Sequence, residues 1–162
     1  MDLQINEQNN TTLQIYNSAN NLDKELASDV PNPLPNYSGF CMVISGPSGS
    51  GKSTSLYSIM TKRKKNKVRQ SYRKVFDKIY IISPTMASAS MKNDPFKDIN
   101  KKQIYRSLTI EHLEELEGEL ESNREEGLNS VVILDDVGSQ LKKSAAVEKK
   151  LTQLIQNRRH NF

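Results

Sequence analysis

An α/β fold, a three-layer sandwich around a parallel sheet, is predicted by three features of this 162-residue chain. Apolar, branched runs at residues 40–44, 78–83 and 130–134 alternate with stretches whose apolar residues recur at helical spacing, the pattern of strands joined by crossover helices. A glycine-rich loop directly follows the first run, and a pair of aspartates closes the third. In open parallel sheets ligands sit at the carboxyl ends of the strands, so both features fall at one edge.

Residues 1–37 are rich in Asn and Gln, lack a sustained period, and finish in the cluster Pro31-Asn32-Pro33-Leu34-Pro35. They read as a disordered arm with an extended connector, and residues 13–16 as a short docking segment. The remainder, 38–162, is one domain by length. Its first strand, 40–44, carries the lone cysteine, Cys41, where a small apolar side chain suits a buried position; one cysteine forms no internal disulfide.

Then comes Gly46-Pro47-Ser48-Gly49-Ser50-Gly51-Lys52-Ser53, a complete phosphate-binding loop of the form GxxxxGK[ST]. Its glycines let the backbone turn so that N–H groups point at phosphate oxygens, and the helix opening at Gly51 aims its positive dipole end at the same spot. Lys52 reaches the β- and γ-phosphates, and Ser53 has the short hydroxyl that ligates Mg²⁺. Thr54 completes this set and supports helix packing. Strand, loop and helix in that order imply a nucleoside triphosphate rather than a chance Gly/Ser turn.

Leu56, Ile59 and Met60 mark the buried face of the loop's helix. The run Lys78-Ile79-Tyr80-Ile81-Ile82-Ser83, stopped by Pro84, fits a buried parallel strand. Residues 85–106 show no clean period and read as an irregular connection with a short helix or strand. Thr109 caps a helix with Glu111 in its first turn and a stripe of Ile110, Leu113, Leu116 and Leu120, ended by Gly127. A strand over 130–134 follows. A last helix over 139–157 places Leu151, Leu154 and Ile155 on one face.

Asp135 ends an apolar strand as the Walker B carboxylate does, and with the loop upstream it belongs to the Mg²⁺ shell. Asp136 directly after it accepts a proton from, or orients, the water that attacks the γ-phosphate; its plainer role is to cap the helix near Gly138-Ser139.

Charge divides unevenly. The net charge is +4, but Lys and Arg gather over residues 62–78 and Glu over 111–126. The basic run tracks a nucleic-acid backbone or decorates a helix end, and the sequence leaves both open. Mean hydropathy of −0.67, no apolar run near the ~20 residues that span a bilayer and no secretory layout predict a soluble, intracellular protein without membrane contact.

The loop 46–53, the strand Ile79-Tyr80-Ile81-Ile82 with Ser83-Pro84-Thr85, the run Ile133-Leu134-Asp135-Asp136-Val137 and the terminal Asn157-Arg158-Arg159-His160-Asn161-Phe162 together resemble the DNA-packaging ATPases of large DNA viruses, virophages and related transposons, a branch of the FtsK/HerA superfamily. The resemblance covers about residues 38–162. It implies a P-loop NTPase sandwich of RecA/ASCE-like topology, ATP and Mg²⁺ as cofactors, double-stranded DNA as partner, a homo-oligomeric, hexameric ring, and a capsid or portal partner, in host cytoplasm or virion. Arg158 or Arg159 then acts as an arginine finger toward a neighbouring subunit, or simply complements the helix C-terminus.

In that family a further strand with a polar residue lies between the loop strand and the Walker B strand. Residues 1–162 contain no such strand, so the expectation is an incomplete sheet whose two flanking strands lack partners, with marginal folding and weak turnover. The alternatives are a nucleoside or nucleotide kinase, in whose topology the two strands are adjacent, and an inactive nucleotide-binding fragment. GTP preference finds no support, because Asn66-Lys67-Val68-Arg69 lacks the aspartate of a base-reading motif.

Overall fold

The computed structural model describes residues 26, 30, 34–60, 72, 75–85, 96 and 98–158. Among them three parallel strands form one sheet in the order β2-β1-β3, with β1 at Lys78–Ile82, β2 at Ile104–Tyr105 and β3 at Ser130–Leu134. The chain is therefore α/β, as expected. Asp77 fixes the register where β1 and β3 begin: its carboxylate accepts from Asn129 N at 2.8 Å, and its own N–H donates to Asn129 O at 2.8 Å. From there the strands pair residue for residue, Lys78 with Ser130 through Ile82 with Leu134.

The period-two alternation of β1 separates two cores. Tyr80 and Ile82 face one side with Leu113, Leu116 and Leu120 of α2 (Ile110–Glu125) and Val147, Leu151 and Leu154 of a C-terminal helix. Ile79 and Ile81 face the other, with Met60, Leu56 and Ile59 of α1 (Lys52–Met60). Leu26, Val30 and Leu34 pack against this second core, and Tyr72 Oη donates to Pro35 O at 2.7 Å, so described parts of the N-terminal connector are tied to the domain.

Helix α2 begins where its cap was read. The Thr109 hydroxyl accepts from His112 N at 3.2 Å, and hydrogen bonds from the backbone and Thr109 hold the Glu111 carboxyl below its usual range. Its far end is keyed to the sheet by polar groups: Asn123 Nδ2 donates to Tyr80 Oη at 2.8 Å and Ser130 Oγ at 3.2 Å, and Tyr80 Oη donates to Glu119 at 3.2 Å. The irregular stretch before it contains a 3₁₀ turn at Lys101–Gln103.

Two expectations are corrected. The single helix over 139–157 is two, α3 at Gly138–Leu141 and α4 at Ala145–Gln156, because the Ser144 hydroxyl accepts from Val147 N and starts a new helix. Residues 40–44 form no strand. Val43 is 82% exposed, Met42 and Ile44 are 37% exposed, and Cys41 is exposed rather than buried. The physical reason is pairing: β1 is occupied on both edges, and residues 40–44 lie across a cleft from β3 instead of in its ladder. Apolar, branched side chains do not make a strand without a backbone partner.

Candidate functional site

The loop stands between an unpaired segment and a helix. A Cβ at Gly46 would lie 2.6 Å from Ser50 Oγ, so the Ser50 side chain would have to rotate to admit one. Gly51 is required by conformation, with φ at +84° just before α1 starts. Ser50 N donates to Pro47 O at 3.2 Å and closes the turn; Ser55 N donates to Gly51 O at 2.8 Å and opens the helix. Pro47, Ser48, Gly49 and Ser50 are exposed, Lys52 and Ser53 half-buried, and Thr54 is exposed, away from the packing role expected of it.

Lys52 folds back over its own loop. Its ammonium donates to Gly46 O at 3.0 Å and Pro47 O at 2.9 Å, which holds the cation at the loop mouth. Phosphate oxygens entering there would replace those carbonyls as acceptors.

Asp135 extends the ladder beyond β3, its N–H donating to Ile82 O at 3.0 Å. Asp136 then takes φ 56°, so the chain turns sharply at the sheet edge. Its carboxylate does not cap the next helix: Val137 occupies the cap position of α3, and no side chain bonds there.

A cleft of about 550 Å³ brings these parts together, lined by residues 40–44, Lys52, Ser53, residues 131–136 and Arg158. Cation, hydroxyl and two carboxylates thus border one cleft, which runs along β3 to its carboxyl end. Ser53 and Asp135 are both oxygen donors, the hard ligand type that suits Mg²⁺. The Arg158 guanidinium donates to Ile155 O at 3.2 Å, as a cation complementing a helix end does, while the residue also borders the cleft. Arg159 and His160, and the basic run except Tyr72, Val75, Phe76, Asp77 and Lys78, lie outside the described residues. The cleft wall of Met42, Val43 and Ile44 was missed as a site feature, because an apolar run before a loop reads as a buried strand.

The three-stranded parallel sheet defines an α/β protein in which a phosphate-loop sequence and an acidic strand end border one cleft. The sequence profile described as Poxvirus A32 protein matches residues 34–162, and the chain belongs to that family, which is associated with viral genome-packaging ATPases. No curated protein and no solved structure matches the chain. Among the described residues no helix is long and apolar enough to cross a membrane.

Proposed function

We propose that this protein hydrolyses ATP with Mg²⁺ and couples the turnover to movement of double-stranded DNA into a viral capsid. The observation that carries the reading is the shared cleft of Lys52, Ser53, Asp135 and Asp136 in a chain of the poxvirus A32 family. The loop amides and Lys52 bind the phosphates; Ser53 and Asp135 hold the metal. Bound Mg²⁺ would neutralise charge on the phosphate oxygens. Asp136, turned out of the strand at φ 56° and free of any capping duty, orients the attacking water and accepts its proton.

The same reading assigns the sheet to a P-loop NTPase sandwich of RecA/ASCE-like, FtsK/HerA type, working as a ring, with Arg158 or Arg159 at the subunit boundary and a capsid or portal partner. Among the described residues no strand pairs with the outer edge of β3, which lines the cleft together with residues 40–44.

Steady-state ATP hydrolysis with and without linear duplex DNA tests it. The expected result is turnover stimulated by DNA and reduced about 10²-fold or more by Asp136→Asn, with nucleotide affinity retained. Unchanged turnover in that variant would remove Asp136 from the mechanism. Lys52→Ala should instead weaken nucleotide binding itself.

A further inference from the structure

We infer that Ser83, at the end of β1, is a positioning residue for Asp135; this rests on the reading of Asp135 as a metal-holding carboxylate. Ser83 is one of three buried polar residues among the described residues, 1% exposed, and it stands at the end of β1 beside the strand that lines the cleft. Its backbone N–H donates to Tyr105 O at 2.9 Å, which continues the β1–β2 ladder one residue past the strand. Pro84 follows, and a residue before proline is held in the extended region. Ser83 therefore keeps the alternation of β1.

That alternation has a consequence for its side chain. Ile79 and Ile81 face the core shared with α1, and so do their partners Val131 and Ile133 on β3. Two residues further along each strand stand Ser83 and Asp135, on the same face, and the register that pairs Ile82 with Leu134 sets them opposite each other. Adjacent strands run about 4.8 Å apart, so a rotation of the Ser83 side chain brings its hydroxyl within reach of the Asp135 carboxylate.

The hydroxyl has little else to hold it. Its contact with Thr85 Oγ1 is 3.4 Å, long against the ~2.7–2.8 Å typical of hydroxyl hydrogen bonds. Asp135 borders the cleft and Ser83 does not, so Ser83 reaches the metal only through Asp135. Donation from Ser83 to one carboxylate oxygen leaves the other for the cation and fixes its direction, as buried hydrogen-bond partners of metal ligands commonly do.

Calorimetric titration of a non-hydrolysable ATP analogue, with and without Mg²⁺, tests this on the protein and on Ser83→Ala, with thermal melting to verify the fold. In the unaltered protein Mg²⁺ should tighten binding. Ser83→Ala should lose about tenfold of the Mg²⁺-dependent affinity, keep its Mg²⁺-free affinity, and lower kcat for ATP more than KM changes. Ser83→Thr should restore the Mg²⁺ response. If Ser83→Ala fails to fold, Ser83→Cys, close in volume and a weak donor, is read in the same way. An unchanged Mg²⁺ response overturns the inference and leaves the nucleotide reading standing. A protein that binds no nucleotide in either condition overturns both.

Discussion

Asp136 stands alone among the described non-glycine residues in having positive φ. For an L-residue the left-handed region costs about 1–2 kcal/mol, less for Asp, whose short side chain can bond locally. The strain sits beside Asp135 at the cleft, and retaining it there fits a residue kept for its carboxylate rather than for the turn. Asp136→Gly should raise stability by about 0.5 kcal/mol while removing turnover, whereas Asp136→Val should lower stability by about 1–2 kcal/mol. Urea unfolding of the two variants checks the pair of signs. Lys52 tells a related story: its two bonds to loop carbonyls keep the loop folded around its own cation, so a phosphate entering the loop would exchange partners rather than create a charge site from nothing.

Among the elements, those with an internal signal were legible. The cap at Thr109, the stripe at Leu113, Leu116 and Leu120, and the branched runs of β1 and β3 each carry local chemistry that agrees with their tertiary use, and each forms as read. The misses have a different cause. Ser144 was hidden inside an amphipathic stretch, where its competing hydrogen bond outweighs helical period. Residues 40–44 look like β1 in composition, but a strand is a relation between two backbones, and composition names only one of them. Of the candidate site, the loop 46–53 and the aspartates stand out in sequence by residue type and spacing; the cleft that they share depends on what lies between strands. Native-state hydrogen exchange should show this contrast. Amides of residues 41–45 should exchange fastest among the apolar segments, with those of Tyr80, Ile81 and Ile82 slowest, and an ATP analogue with Mg²⁺ should slow exchange at residues 48–53. Slow exchange at Met42 and Val43 in the free protein would contradict the open arrangement of that segment.

At the scale of the whole molecule, two cores on opposite faces of a narrow sheet are each anchored by a buried phenol. Burial, with Tyr37 nearby, pushes Tyr72 up to about 12, and burial, with Glu115 and Glu119 nearby, pushes Tyr105 up to about 12, both from 10.0. A phenol whose pKa is raised by folding contributes stability that is complete below pH 10 and is lost as pH rises through 12. Denaturant midpoints should therefore hold steady up to pH 10 and fall between pH 10 and 12, and Tyr105→Phe should remove part of that fall. A profile flat to pH 12 would mean that neither ring is buried in the neutral form. Among the described residues no strand pairs with the outer edge of β3, and this bears on how the protein behaves in solution. Ser130–Leu134 has no proline and no charge to discourage pairing, so outer backbone groups without a described partner can serve as a template for another chain. Concentration thus sets a competition between productive folding and edge-to-edge growth into β-rich aggregates, and whatever covers that edge also acts as the molecule's guard against precipitation.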